Sequence, residues 1–214
     1  MDHIIRIGAE AIISRINWNG FDAVSKYRVS KSYRIAELDR RIREQRTLHE
    51  VRVMMALKKA GVSCPTVIFL DRSEAVIYMQ YIEGVELRRW LEKADEKSVE
   101  KVAKDLGRMV GRMHRSKIAH GDLTTSNILI DGSGKLFFVD FGLSLFTDEL
   151  EDFAVDIHLL DRSLESVHYS IREPFMRNFI LGYAEILGKD FTRELISKIR
   201  EIRMRGRYVE ERRR

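Results

Sequence analysis

Asp122, Asn127 and Asp140 are three polar residues whose order and spacing favour a single site. Two short apolar runs lie between them, at 128–130 and 136–139, and a Gly-Ser-Gly turn joins the runs. This pattern predicts a β-hairpin that returns the chain and sets Asp140 near Asn127. Phosphoryl transfer needs a carboxylate at the acceptor, and an amide and a second carboxylate on the metal. We therefore expect Asp122 to orient the attacking hydroxyl or water, and Asn127 and Asp140 to hold Mg²⁺.

Such a site needs a cation for the phosphates, and two lysines compete for this role. Lys26 lies in a predicted strand, whereas Lys31 falls past its end. A lysine that points into the protein needs a partner to offset its desolvation. We expect that partner to be Glu50, since Met54 and Leu57 follow it at helical spacing and place it on an apolar face. The alternative is a solvated Glu50.

Two backbone segments complete the predicted nucleotide site. The loop over 8–11 contains one glycine, so it would form a short cover over the phosphates rather than a full cradle. The segment over 79–82 precedes Gly84 and would lie beside the adenine, with hydrogen bonds from the backbone of Gln80 and Ile82. The predicted ligands are ATP and Mg²⁺. The residues expected to contact the nucleotide in these segments are Gly8, Ala9, Glu10, Ala11, Met79, Gln80 and Ile82.

The remaining reactive side chains point to supporting roles. His120 is expected to support the catalytic loop through hydrogen bonds, and the other histidines show no metal-ligand spacing, so we expect no zinc site. The single cysteine, Cys64, excludes an internal disulfide framework and suits a reducing cytosol, which predicts a cytoplasmic protein. No apolar run approaches the length of a membrane span.

The hydrophobic pattern changes character along the chain and predicts an α+β fold with two lobes. A small antiparallel β N-lobe with one long helix covers 1–83, a reduced and mostly helical C-lobe covers 84–204, and a basic tail covers 205–214. Gly84 suits a hinge between the lobes. The predicted strands cover 4–7, 11–16, 23–27, 67–70 and 75–79. The predicted helices cover 34–60, 87–92, 98–115 with Ser98 as N-cap, 150–165, 171–187 and 191–204.

The net charge of +5 is concentrated at the C-terminus. Seven arginines and three glutamates over 200–214 give this segment +4, which is typical of an electrostatic contact to nucleic acid. The alternative is a solvated terminus. A second basic cluster over 31–46 is interrupted by acids, and a solvated face explains it equally well. The arginines expected to contact nucleic acid are Arg203, Arg205, Arg207, Arg212, Arg213 and Arg214.

The site residues resemble, in order, those of the protein-kinase superfamily, and longer strings are similar to the PRPK family, the small kinase/ATPase of the KEOPS complex. These strings are Lys-Tyr-Arg-Val-Ser-Lys-Ser-Tyr-Arg at 26–34, Tyr-Met-Gln-Tyr-Ile-Glu-Gly at 78–84, His-Gly-Asp-Leu-Thr-Thr-Ser-Asn-Ile-Leu at 120–129 and Asp-Phe-Gly-Leu-Ser at 140–144. The resemblance implies a kinase-like two-lobed fold and a serine/threonine protein kinase with ATPase activity.

The resemblance also implies a place in the threonylcarbamoyl modification of an adenosine of tRNA. Its expected partners are a Kae-type tRNA threonylcarbamoyl transferase subunit on the C-lobe, a Cgi-type small subunit on the N-lobe, and tRNA on the basic tail. No membrane contact is expected.

Several features depart from ordinary protein kinases. Gly121 replaces the arginine of His-Arg-Asp, so a phosphorylated activation loop has no evident partner. No Ala-Pro-Glu follows, and the helical pattern resumes soon after Gly142, which leaves almost no activation loop. These absences argue against a regulated kinase that selects peptides.

Three alternatives stay open. Small-molecule phosphotransferases of the aminoglycoside or choline kinase type also carry His-Gly-Asp, but they hold their substrate in a larger helical insertion than the interval from 84 to 120 offers. A RIO-type kinase of ribosome assembly is a closer relative, although the string at 26–34 favours PRPK. A pseudokinase scaffold is the third alternative, and the full set of site residues disfavours it.

Overall fold

The computed structural model describes residues 3–211 and shows an α+β fold with an antiparallel N-terminal sheet and a helical C-terminal region. The sheet has five strands in the order β1-β2-β3-β5-β4. Its strands are β1 His3–Ile7, β2 Ala11–Trp18, β3 Phe21–Arg28, β4 Val67–Asp71 and β5 Val76–Gln80. The five predicted strands are confirmed, each within a few residues of its expected bounds. Asn19 and Gly20 join β2 to β3 with φ values of 49° and 91°, as in the tight hairpins that favour Asn-Gly.

Helix α1, Ala36–Lys59, is the single long helix of the N-lobe. Glu50, Met54 and Leu57 are buried along one side of it, as their spacing predicts. The helix ends where Gly61 adopts a φ of 70°, and the Val62 N–H donates to the Leu57 carbonyl at 2.9 Å. This hydrogen-bonded glycine stop fixes the direction in which the chain leaves the helix.

The C-lobe begins with a short strand that belongs to a second sheet. Strand β6, Gly84–Glu86, pairs with β8, Ile128–Asp131, and β8 pairs with β9, Leu136–Phe138. Gly84 lies between the lobes as predicted, but its absence of a side chain has a packing reason: a Cβ there would lie 2.7 Å from the Ile130 carbonyl oxygen. The predicted hairpin between Asn127 and Asp140 is therefore confirmed and is anchored to the start of the C-lobe.

Helices make up most of the remaining chain. They are α2 Leu87–Leu91, α3 Glu96–Arg115, α4 Leu150–Val167, α5 Tyr169–Leu187 and α6 Lys189–Glu211; two short strands, β7 Ile118–Ala119 and β10 Leu145–Phe146, pair with each other. The predicted N-cap of α3 is wrong by one turn. Asp95 caps the helix, and its carboxylate accepts from the Ser98 N–H at 3.0 Å and the Ser98 hydroxyl at 2.6 Å.

Two glycines let α3 and α5 pack backbone against backbone. A Cβ at Gly107 would lie 2.0 Å from the Phe179 carbonyl oxygen, and a Cβ at Gly182 would lie 2.0 Å from the Lys104 carbonyl oxygen. This close contact positions α3, which leads through β7 into the catalytic loop. Within residues 3–211, none of the helices has the length and apolar character needed to span a bilayer.

Helix α6 extends further than predicted, since it continues through Glu211 rather than ending near 204. Much of the segment predicted as a tail is therefore helical. Ion pairs hold this helix on α4: Arg203 lies 2.8 Å from Glu165, and Arg205 lies 2.7 Å from Glu151.

Candidate active site

A cavity of about 810 Å³ opens between the two lobes. Lys26, Glu50 and Met79 line it from the N-lobe, and Asn127 and Asp140 line it from the C-lobe. The volume falls within the range of small-molecule and cofactor sites, and the polar groups converge at one end. The structure thus brings together side chains that the sequence places far apart.

Lys26 connects the two lobes. Its Nζ lies 2.6 Å from Oε1 of Glu50 and 2.8 Å from Oδ1 of Asp140, and only 4% of the side chain is exposed. Burial acts to lower the pKa of Lys26, but the charges of the two carboxylates outweigh it and the net pKa is raised. Lys26 is therefore held as a cation. Lys31, the rival lysine, donates instead to the Ala9 carbonyl, outside the cavity.

Glu50 is the central acceptor of the N-lobe side of the site. Besides Lys26, it binds Nη2 of Arg28 through Oε2 at 2.6 Å and accepts the Phe141 N–H through Oε1 at 3.2 Å. The alternative of a solvated Glu50 is wrong, since 1% of the residue is exposed. Sequence reasoning missed Arg28, although strand alternation puts it on the same face as Lys26.

The hairpin and the loop before it place the C-lobe groups. The Asn127 amide donates to Oδ2 of Asp122 at 2.8 Å and to the Asp122 carbonyl at 2.9 Å. Asp140 has a φ of 64°, a left-handed conformation that few residues other than glycine adopt. Burial acts to raise the pKa of the Asp140 carboxyl, yet Lys26 lowers it below its usual value, so the carboxylate is ionised.

Asp156 of α4 holds the backbone of the catalytic loop. Its two oxygens accept the N–H of His120 at 2.6 Å and that of Gly121 at 2.8 Å. Asp156 is fully buried, and Nε2 of His114 lies 3.2 Å from its Oδ2, while Nδ1 of His114 lies 2.9 Å from the Tyr183 hydroxyl. A buried network therefore joins helices α3, α4 and α5 to this loop.

The hydrogen bond expected of His120 comes from its backbone N–H, which donates to Asp156, and not from its ring. In the part of the chain that the structure describes, neither of its ring nitrogens has a hydrogen-bond partner, and the ring packs against Phe138 and Phe141. Burial lowers the pKa of His120, against the opposing charges of Asp156 and Asp140, which favours the neutral ring. His120 supports the loop through its backbone and by packing, whereas Asp156 provides the hydrogen bonds.

The loop over 8–11, predicted to cover the phosphates, is not among the residues that line the cavity. Gly8 donates to the Ala11 carbonyl at 2.9 Å, which makes a tight turn between β1 and β2. Glu10 turns toward α1, where it pairs with Arg46, and lies 3.7 Å from Nη1 of Arg28. These contacts hold the loop to one side of the cavity.

The segment over 79–82 does line the cavity, on the side of β5. The Gln80 N–H already donates to the Thr66 carbonyl at 2.8 Å, so it is not free for an adenine ring. The guanidinium of Arg15 lies 4.2 Å from the centre of the Tyr81 ring and forms an ion pair with Asp22 at 2.7 Å. These contacts hold Tyr81 at the side of the cavity.

The site offers few protein ligands for a metal, which suits Mg²⁺ better than a metal ion bound entirely by protein side chains. Among residues 3–211 no three His, Cys, Asp or Glu side chains come together as a metal cluster. Asn127 and Asp140 offer an amide oxygen and a carboxylate, and Mg²⁺ characteristically binds one or two such groups together with water and substrate phosphates. The residues present therefore fit Mg²⁺ bound jointly with a nucleotide.

The arginines predicted to contact nucleic acid divide into two groups. Arg203 and Arg205 are engaged in ion pairs with carboxylates of α4 and α6. The side chain of Arg207 and the residues Arg212, Arg213 and Arg214 lie outside what the structure describes. In the second basic cluster, acids pair with arginines: the buried Asp39 with Arg34 and Arg43, Glu37 with Arg40, and Glu10 with Arg46.

Comparison with known proteins decides the family. A model of the RIO domain matches residues 10–177, which is most of the chain and includes Lys26, Glu50, Asn127 and Asp140. The chain belongs to the RIO domain family. The kinase-like fold class is thereby confirmed: the five-stranded sheet and α1 form the N-lobe, and the later helices form most of the C-lobe.

Individual relatives show to which branch of the RIO domain family the chain belongs. The KEOPS complex subunit Bud32 of Pyrococcus abyssi is 43% identical over 97% of this chain and 96% of its own length. The EKC/KEOPS complex subunit bud32 of Dictyostelium discoideum is 35% identical over 95% of this chain and 82% of its own. The chain therefore belongs to the PRPK/Bud32 branch of RIO domain proteins, as the string at 26–34 indicated.

A third relative is a longer protein. The probable bifunctional tRNA threonylcarbamoyladenosine biosynthesis protein of Methanothermobacter thermautotrophicus is 40% identical over 97% of this chain, but the match covers 37% of that protein. The RIO domain corresponds to one part of it.

Proposed function

We propose that this chain binds ATP with Mg²⁺ between its lobes and is an ATPase and serine/threonine kinase that serves the KEOPS complex. The observation that carries the proposal is the contact of Lys26 with Asp140, 2.8 Å apart, at the polar end of a cavity large enough for a nucleotide. A cation of one lobe and an ionised carboxylate of the other there face a common space, which is what binding a triphosphate with its metal requires.

Each site residue has a distinct task in this proposal. Lys26 donates to the phosphates, and Glu50 keeps it directed into the cavity. Asn127 and Asp140 hold Mg²⁺, which when bound neutralises charge on the transferred phosphoryl group. Asp122, fixed by the Asn127 amide at 2.8 Å, orients the acceptor hydroxyl or water and takes up its proton.

The short segment after Asp-Phe-Gly supports an ATP site that needs no activation-loop switch. Helix α4 begins at Leu150, and β10 occupies part of the interval after Gly142. Peptide-selecting kinases use a longer segment there, which phosphorylation orders. We infer that the acceptor is water, a residue of this chain or a residue of a bound partner.

The names of the relatives support a role in the threonylcarbamoyladenosine modification of tRNA. We propose a Kae-type transferase subunit on the C-lobe, a Cgi-type subunit on the N-lobe and tRNA at the C-terminal arginines. Arg203 and Arg205 are paired with acids, so a phosphate contact at either would replace an ion pair. The single buried cysteine suits the cytoplasm.

Steady-state phosphate release from Mg·ATP tests the proposal. Asp122→Asn keeps the size of the side chain and removes its basicity, and we expect the rate to fall about 10²–10⁴-fold. Asp148→Asn, which alters an exposed carboxylate paired with Lys117, is the matched control and should leave the rate unchanged. Equal rates in the wild type and Asp122→Asn would instead indicate a scaffold that holds nucleotide without chemistry.

A further inference from the structure

Arg28 has no task in the site as proposed, yet it is almost as buried as Lys26. Its side chain is 5% exposed, and its Nη2 lies 2.6 Å from Oε2 of Glu50. The two basic residues stand two positions apart on β3 and so point to the same face. Each binds a different oxygen of one carboxylate, so Glu50 is clamped by two cations.

The surrounding protein does not fully satisfy the Arg28 guanidinium. Within the described residues its Nε has no hydrogen-bond partner, and Nη1 is 3.7 Å from the nearest oxygen of Glu10. Its Nη2 lies 3.5 Å from where a Cβ at Gly142 would stand, so the guanidinium faces the Asp-Phe-Gly turn. A buried arginine that served only packing would normally have its donors paired. The placement favours a task for its charge.

The charge balance of the cavity shows what that task is. Lys26 faces two carboxylates, Glu50 and Asp140, so without a second cation at Arg28 the phosphates would meet an excess of negative charge. When Lys26 turns to the phosphates, Glu50 would also be left as a buried carboxylate without a counter-ion, which is strongly unfavourable. Arg28 removes both problems.

We propose that Arg28 is a positioning residue for phosphoryl transfer: it keeps Glu50 paired and in place when Lys26 and Asp140 turn to the phosphates and Mg²⁺. The inference rests on the proposed function. Because the Phe141 N–H donates to Oε1 of Glu50 at 3.2 Å, a fixed Glu50 also fixes the backbone next to Asp140. The clamp therefore acts on both lobes of the site.

Binding of two probes, adenosine and Mg·ATP, measured on the whole chain by calorimetry, separates this task from folding. In Arg28→Met we expect adenosine to bind as in the wild type, and the dissociation constant of Mg·ATP to rise about tenfold, the loss expected for one charged hydrogen bond. Phosphate release should fall as well, and Arg28→Lys, which restores the charge, should recover most of the affinity. Arg43→Met, which removes another partly buried, ion-paired arginine of the same lobe, is the control.

Each result decides a different point. An Arg28→Met variant that binds Mg·ATP as tightly as Arg43→Met overturns the inference and leaves the proposed function standing. If Arg28→Met loses adenosine binding, the measurement is repeated with Arg28→Gln, which should bind adenosine normally and Mg·ATP about tenfold more weakly. If both variants lose adenosine binding, Arg28 is purely structural and the inference is overturned. A wild-type chain that binds neither probe overturns the proposed function and this inference together.

Discussion

Nζ of Lys26 and Oδ1 of Asp140 lie 2.8 Å apart although 114 positions separate them in the chain. The pair closes the polar end of the cavity and joins the two lobes without a ligand. Burial acts to neutralise both groups. The carboxylates of Glu50 and Asp140 keep Lys26 ionised, and Lys26 keeps Asp140 ionised. The polar end of the cavity therefore carries a buried cation beside an ionised carboxylate.

Replacing this lysine tests which of two candidates serves the phosphates. In Lys26→Met we expect phosphate release from Mg·ATP to fall by about 10²-fold or more, since a preorganised cation is lost from the transition state. Lys31→Met removes the rival, whose ammonium donates to the Ala9 carbonyl, and should leave the rate within about twofold. The opposite ranking of the two variants would refute the assignment.

Gly121 explains why an arginine cannot occupy the middle of His-Gly-Asp here. Its φ is 78°, and a Cβ would lie 2.0 Å from the Leu143 carbonyl oxygen. We expect Gly121→Ala to lower the free energy of unfolding by about 2 kcal/mol or more, from backbone strain and displacement of Leu143. Gly132→Ala is the matched control because nothing lies within 4 Å of its would-be Cβ. Urea denaturation of both variants measures the difference, and equal stabilities would contradict the structure.

The contact between α3 and α5 should depend on pH through Glu185. Hydrogen bonds from Arg108 at 2.6 Å and Lys104 at 2.8 Å lower the pKa of Glu185 from 4.5 to about 2. Because the folded pKa lies below the unfolded one, the pair stabilises the fold above about pH 4.5 and loses this contribution as pH falls toward 2.

Glu185→Gln should accordingly be less stable than the wild type at pH 7, and the two should converge on acidification. Thermal unfolding between pH 7 and pH 3 follows this convergence. Glu173→Gln changes an exposed carboxylate of the same helix and supplies the reference. A stability gap that stays constant over the acid range would show that the ion pairs with α3 do not contribute.

The C-terminal arginines should contribute to RNA affinity through charge. Deleting 208–214 is expected to weaken tRNA binding and to flatten its dependence on salt, because fewer counterions are released. Filter binding at several salt concentrations measures both effects. Arg205→Ala, which breaks an ion pair with Glu151, should change the salt slope less. Affinity and slope unchanged by the deletion would make the segment an ordinary solvated terminus.

The features that could be predicted from sequence are those that depend on local periodicity. Helical spacing placed Glu50 with Met54 and Leu57, and the turn between two apolar runs placed Asp140 near Asn127. In both cases one element fixes which side of the chain a residue faces, so a short stretch of sequence carries the information.

The features that could not be predicted depend on contacts between distant elements. Asp156 is an acid among Phe153, Ile157 and Leu160 on the buried face of α4, and this position was the only signal of its role. The position of the loop over 8–11 likewise depends on a tertiary contact, the ion pair between Glu10 and Arg46. Helix α6 was predicted too short: it continues past Gly206, and the ion pairs that hold it on α4 are tertiary contacts that local periodicity does not show.

Helix α4 contacts both the loop before Asp122 and helix α6. Near its middle, Asp156 accepts hydrogen bonds from the backbone of His120 and Gly121. On either side of Asp156, Glu151 and Glu165 form ion pairs with arginines of α6. A helix of 18 residues is about 27 Å long and stiff at that scale. Helix α6 and the segment that carries Asp122 are therefore both positioned by α4, so the place of one depends on the same helix as the place of the other.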